Sequence, residues 1–243
     1  MNGERQVLAK YHTRSQPKPN YSLPRFSKRR SSGWLRYFDS ATVKRSFDIV
    51  FSLAVLTICA PLYSLIALLI GLTSTGPIFF VQERVGRTGK RFRCIKFRTM
   101  VVNADAMLAD LVASCPDLRQ EFAENYKLKR DPRITAIGNF LRITSLDEFP
   151  QFWNVLRGDM SVVGPRPLVP EEVPRYGDSI TTVLSVRPGI TGLWQVSGRN
   201  DIPYARRVYM DAWYSRCRTF QLDLWIIVRT IGVVLHPNNN GAY

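Results

Sequence analysis

Histidine is nearly missing from this sequence: there are 2 in 243 residues. The 4 cysteines, Cys59, Cys94, Cys115 and Cys217, stand far apart. Zinc sites draw on clustered Cys and His, so this spacing argues against one, and scattered thiols fit a structural role in a reducing compartment. Acidic residues are also scarce, 19 against 34 Lys and Arg, which leaves a formal charge of +15. So large a surplus calls for anionic partners: nucleic acid, anionic lipid or phosphorylated substrates. No recognised nucleic-acid motif accompanies the charge, and the basic residues gather beside an apolar stretch, so nucleic acid is set aside. There is no internal repeat. A secretory signal peptide is not expected, because the apolar stretch starts late and no small-residue cleavage site follows it.

What is present falls into three parts. Residues 1–43 carry Pro17, Pro19 and Pro24, many serines and Lys28-Arg29-Arg30 without apolar periodicity, and read as a disordered basic tail. Trp34, Tyr37 and Phe38 would let such an arm rest on anionic headgroups. Val50 to Leu72 then runs without a charged residue, long enough to span a bilayer. Pro61 near its middle would bend a helix. Both flanks are basic, Lys44 and Arg45 before it and Arg84 to Arg98 after it, and positive flanks prefer the cytoplasmic side. A helix that dips into the bilayer, bends at Pro61 and returns to the same face satisfies both features, over residues 44–75; a Pro-kinked span is the alternative.

Residues 76–243 read as one α+β domain, mostly helical with a small β-hairpin. Ile78–Val81 and Phe92–Phe97 flank a Gly-rich turn and form the hairpin. Helical patterns follow at Ala104–Leu111, Leu118–Tyr126, Ile137–Arg142, Leu146–Leu156, Tyr204–Tyr214 and Leu222–Leu235. Val162–Pro170 is extended, and Arg187-Pro188-Gly189 marks a turn.

Asp147-Glu148 is the pair to which chemistry is first assigned. Ser145 and Glu148 fit the S-x-x-E capping box, so a helix start is one reading, although Pro150 follows close behind. The same geometry has a functional reading: a helix N-terminus attracts phosphate, a carboxylate there can attack phosphorus, and its neighbour can hold Mg²⁺. Lys96, Arg142, Arg166 and Arg199 are cations scattered among turns, each open to a reading as solvated charge. Arg166 lies between Pro165 and Pro167, which stiffen it for bidentate phosphate recognition and allow a cis bond.

The block SLDEFPQFWNVLRGDMSVVGPRP at 145–167 resembles the signature of the bacterial sugar transferases, the monotopic phosphoglycosyl transferases that start exopolysaccharide, O-antigen and glycoprotein glycan assembly. KRSFDIV at 44–50, KFRTM at 96–100, DPRIT at 131–135, RPGITGLWQVSGRN at 187–200 and the Asp223 region match in the same order, over about residues 44–235. The resemblance implies a re-entrant helix broken at a Ser-Pro pair, which here is Ala60-Pro61. It implies that Asp147 is the nucleophile and that Glu148 contacts Mg²⁺. It places Lys96, Arg142, Arg166, Arg199 and Asp223 at positions of substrate contact or active-site support, and Gln195 near the nucleotide.

The reaction so implied transfers a hexose-1-phosphate, of galactose or glucose, from a UDP-sugar to undecaprenyl phosphate. Asp147 displaces UMP and carries the phosphosugar until the lipid phosphate takes it. The expected setting is the inner membrane with the catalytic domain over 76–243 on the cytoplasmic face, among membrane lipids, and a homodimer is one state the family allows. The rival readings are a glycosyltransferase that releases UDP and a non-catalytic membrane component of a polysaccharide machine.

Overall fold

The computed structural model describes residues 39–235 apart from 126, 127 and 129, so residues 1–38 of the tail expected over 1–43 lie outside the described residues, while 41–43 are helical rather than part of a disordered tail. The first helix, α1 (Ala41–Ile58), begins before Lys44, with the Ser40 hydroxyl accepting from the Val43 N–H at 3.3 Å. It stops at Cys59, and α2 (Ala60–Thr73) leaves at 61° to it. Pro61 falls in the first turn of α2, where its missing N–H leaves no gap. Further back in one continuous helix its ring would strike the preceding turn, which is why the break falls here. No single helix among the described residues is long and apolar enough to cross a membrane, but the bent pair passes that test together. Its outer face is uncovered: Val50, Leu53, Ile58, Leu65, Leu68 and Leu72 are each more than half exposed.

β1 (Phe79–Val85) and β2 (Arg91–Phe97) pair antiparallel from Phe79–Phe97 to Val85–Arg91 and form the expected hairpin. Two helices follow, α3 (Ala104–Ser114) and α4 (Pro116–Asn125); Pro116 opens the second of them, and Tyr126, expected at its end, lies outside the described residues. Next come α5 (Ala136–Thr144) and α6 (Gln151–Arg157), then a short strand β3 (Ser161–Val163). A 3₁₀ segment at Pro170–Ser179 leads into the single turn α7 (Ile180–Val183), then β4 (Gly189–Thr191). The chain closes with α8 (Tyr204–Cys217) and α9 (Phe220–Leu235). The class is α+β, mostly helical with a small hairpin, as the sequence implies.

The parallel pairing of β3 with β4 is not legible in the sequence, where Gly189 reads as part of a turn. Three-residue strands carry too little alternation to signal themselves. What joins them is the close approach of two glycines. The Gly164 N–H donates to the Thr191 carbonyl at 3.0 Å, and the Gly189 N–H donates to the Pro165 carbonyl at 2.8 Å. A Cβ on Gly164 would stand 2.5 Å from the Arg187 carbonyl oxygen, and one on Gly189 would collide with the Gly164 backbone. This contact fixes the backbone that carries Arg166. All peptide bonds among the described residues are trans, so the cis bond allowed at Arg166's prolines is not formed.

The main core gathers Phe92, Phe152, Met160, Leu193, Leu222 and Ile226, and Phe47, Phe51 and Val55 of α1 pack against it. A buried polar network stitches α1 to this core. The Lys44 ammonium pairs with Asp223 at 2.8 Å and reaches Asp48 at 3.5 Å. Asp48 accepts from the Ser161 hydroxyl and the Val162 N–H, while the Tyr214 hydroxyl donates to Asp223 at 2.6 Å. Removing one partner of a buried ion pair leaves the other charge uncompensated. Asp223→Ala should therefore lower stability by about 3–5 kcal/mol, read as a fall in melting temperature of the purified chain, with Asp223→Asn losing less because the amide oxygen still accepts from Tyr214.

Candidate active site

The dyad does not begin a helix. Ser145 takes the left-handed conformation, φ 59°, and closes α5, its N–H donating to the Arg142 carbonyl at 3.2 Å. Leu146–Glu148 then form one 3₁₀ turn, and α6 starts only beyond Pro150. The capping-box reading is thus corrected: Ser145 makes no side-chain cap, its hydroxyl accepts from Arg199 Nη2 at 2.9 Å, and Glu148 turns instead to Lys96. The helix-terminus reading of Asp147 is corrected with it, since the charge around the dyad comes from cationic side chains.

Those side chains arrive from separate parts of the chain. Lys96, near the end of β2, donates to Glu148 Oε1 at 2.5 Å. Arg142 on α5 is held by a 2.9 Å bond from Nε to the Thr99 hydroxyl. Arg166 leaves the Gly164-Pro165 corner and sits 6.0 Å from the Trp194 ring centroid, an aromatic shelf for its guanidinium. Arg199 is itself left-handed, φ 48°, directly after Gly198. Gln195 donates through Nε2 to the Ile190 carbonyl at 3.2 Å, while its buried Oε1 has no partner. All of these, with Asp147 and Glu148, line one cavity of about 1290 Å³. Asp223 does not line it; its carboxylate is engaged by Lys44 and the Tyr214 hydroxyl.

Several residues of this wall were read from the sequence only as a basic flank, or were not singled out. Arg84 is buried, donates to the Pro167 carbonyl at 3.0 Å and to Gln82 at 2.6 Å, and lines the cavity. Burial, and then the neighbouring Arg166, pull its pKa down to about 10, so like charges crowd this wall. Trp194 and Thr99 carry Arg166 and Arg142. Asp211, fully buried behind Trp194, accepts from the Tyr176 hydroxyl at 3.0 Å, and burial pushes its carboxyl up to about 7. Thr99 and Trp194 lie within the matched blocks at 96–100 and 187–200, but their roles beside Arg142 and Arg166 show only in the third dimension.

The two carboxyls titrate apart. Burial raises Asp147, with Lys96 opposing and Glu148 adding to the rise. Burial works to raise Glu148 as well, but Lys96 and then Arg166 hold it below its ordinary range. One carboxyl is thus kept ionised while the other is less willing to lose its proton. As a divalent-ion site the dyad is incomplete alone: no group of three or more His, Cys, Asp or Glu side chains able to hold a metal occurs among the described residues. It fits Mg²⁺ in the form that takes one or two carboxylates and completes its shell with substrate phosphate oxygens.

A family model described as bacterial sugar transferase matches residues 39–237, and the chain belongs to this family. It is 51% identical over 205 residues, 84% of this chain and 42% of the relative, to undecaprenyl-phosphate galactose phosphotransferase of Salmonella typhimurium. It is 46% identical over 214 residues, 88% of this chain and 44% of the relative, to UDP-galactose-lipid carrier transferase of Erwinia amylovora. Exopolysaccharide production protein ExoY of Rhizobium meliloti is 44% identical over 191 residues, 79% of this chain and 84% of that protein. The chain therefore spans less than half the length of the first two relatives.

If Asp147 must be ionised to react, raising its pKa moves the loss of activity on acidification above the usual aspartate value of about 4. Lys96 lowers both carboxyls, so Lys96→Ala should move this acid limb further towards alkaline pH as well as reduce the rate. A pH–rate profile of the two proteins reads both effects.

Proposed function

We propose that the chain is a phosphoglycosyl transferase that moves a hexose-1-phosphate from a UDP-sugar to undecaprenyl phosphate. The observation that carries this reading is a buried aspartate beside a Glu–Lys pair, ringed by Arg84, Arg142, Arg166 and Arg199, in a cavity that also has an apolar flank formed by Phe51, Val55, Phe149, Ile227 and Val234. Anionic phosphates suit the first wall and a lipid suits the second. The names of the relatives supply the sugar and the carrier, and two of those compared name galactose, which is taken as the first donor to test.

An oxygen of the Asp147 carboxylate attacks the β-phosphorus of the donor. The bond from that phosphorus to the bridging oxygen breaks, and UMP leaves with the electron pair. An oxygen of the lipid phosphate then attacks the same phosphorus, the aspartyl–phosphorus bond breaks, and the carboxylate is restored as the lipid diphosphate forms. Covalent catalysis of this kind divides one hard transfer into two easier ones, with ping-pong kinetics as its signature. Arg142, Arg166 and Arg199 are placed to offset charge on the transferring group, and Lys96 holds Glu148 in its anionic form. Glu148, with substrate phosphate oxygens, would hold Mg²⁺, which supplies further charge stabilisation when bound.

The bent pair α1–α2, with its uncovered apolar face, is read as a re-entrant anchor. It would keep the cavity at headgroup depth, where a lipid phosphate lies, with the domain on the cytoplasmic face where nucleotide sugars occur. A wedge that turns back exposes both basic flanks to the same side.

The decisive measurement is which nucleotide leaves when the purified chain receives Mg²⁺, undecaprenyl phosphate and UDP-galactose or UDP-glucose. UMP is expected, and Asp147→Asn should reduce its release by a factor on the order of 10⁴ or more, as loss of a covalent nucleophile does. UDP as the product would mean that only the sugar moves. An Asp147→Asn chain that still accumulates a phosphosugar adduct would remove Asp147 as the nucleophile.

A further inference from the structure

One cation on the cavity wall has no task in the scheme above. Arg98 follows Lys96 by two positions, and its N–H continues the hairpin ladder to the Ile78 carbonyl at 2.9 Å. Two-residue alternation turns Lys96 and Arg98 to the same side of the strand, about 7 Å apart along it. Lys96 meets the dyad, while Arg98 points the other way along the wall, to the end of α2. There its Nη2 donates to the carbonyl and the hydroxyl of Ser74, both at 2.8 Å, and Ser74 is the residue that closes α2.

This capping uses one nitrogen of three. Arg98 is only 6% exposed, yet Nε and Nη1 have no hydrogen-bond partner. No carboxylate pairs with it among the described residues. A buried guanidinium without a counter-ion is strongly unfavourable, and leaving its donors unmet adds to that. A capping role alone would be served by a smaller donor. Both observations are met by an anion with several oxygens, received from the cavity that Arg98 lines. The location narrows the anion further. Ser74 marks where the chain leaves the apolar anchor, and Phe51, Val55, Phe149, Ile227 and Val234 give the cavity an apolar flank.

We propose that Arg98 binds the phosphate monoester of an isoprenoid-type lipid, holding the acceptor at the membrane side of the cavity, apart from the arginines that take the donor. The inference rests on the reading of function above and adds to it a division of labour: Lys96 and its neighbours for the nucleotide sugar, Arg98 for the incoming lipid phosphate. Two binding places on one wall suit a ping-pong enzyme, whose two substrates need not be bound together.

The test is equilibrium binding of citronellyl phosphate, a short isoprenyl monophosphate, to the full chain in detergent micelles, beside citronellol, inorganic phosphate and UMP. The wild-type chain is expected to bind citronellyl phosphate and not citronellol. Arg98→Gln should weaken citronellyl phosphate by about tenfold or more while changing UMP by less than about twofold, since one charged, forked contact is lost on one side only. Arg98→Lys keeps the charge and can still reach Ser74; if Arg98→Gln does not fold, it should show the same selective loss at smaller size, about threefold. Unchanged citronellyl phosphate binding in these variants would overturn the proposal. So would an equal loss for UMP, which would assign Arg98 to the donor, or inorganic phosphate binding as tightly as citronellyl phosphate, which would leave the lipid no part in it. A wild-type chain that binds neither UMP nor citronellyl phosphate would instead remove the reading of function on which the proposal stands.

Discussion

The amide of Asn154 stands where a third strand would otherwise be. The hairpin has only two strands, so the outer edge of β2 presents backbone groups that need partners. Asn154, fully buried, supplies them: Oδ1 accepts from the Ile95 N–H at 3.0 Å, and Nδ2 donates to the Arg93 carbonyl at 2.7 Å. One side chain thereby docks α6 on β2 and satisfies two buried backbone groups. Because the 3₁₀ turn with Asp147 and Glu148 directly precedes α6, this docking is what brings the dyad to the end of β2 and sets Glu148 against Lys96. Both carboxyl pKa directions follow from that placement.

A second constraint ties α1 to the same centre. The Lys44, Asp48 and Asp223 network joins α1 to Ser161 and Val162 of β3, and β3 runs straight into Gly164, Pro165 and Arg166. The bent helix pair and a cavity arginine are therefore held by one buried cluster, so the setting of α1 and the position of Arg166 are not independent of one another.

How much of this was legible beforehand follows from which interactions are local. The hairpin could be read because alternation and a Gly-rich turn lie within one window, and the break at Pro61 could be read because proline acts on its own helix. The dyad and the cations at 96, 142, 166 and 199 were named in advance, and the fold brings them to a single cavity. The capping box failed for a specific reason: Ser145 to Glu148 has its spelling, but a left-handed Ser145 points the hydroxyl at Arg199, fifty-four residues away. Arg84 and Arg98 were hidden within a basic run, because nothing in a sequence distinguishes a buried arginine from a solvated one. Asp223 was placed by likeness among positions of substrate contact or active-site support, and its pairing with Lys44 and Tyr214 could not be read from the sequence.

The bond between Arg199 and Ser145 joins two of the three described non-glycine residues with positive φ. A left-handed backbone costs an ordinary residue about 1–2 kcal/mol, so strain is concentrated on both sides of one hydrogen bond at the edge of the dyad. The scaffold accepts a weaker fold there in exchange for where two side chains point. Selection for heat resistance would find easy gains at these positions, glycine or asparagine being more comfortable in both. A homologue tuned for durability would therefore be expected to relax here first and to lose turnover in doing so, which makes this pair a place where the thermal history of a lineage could leave its mark.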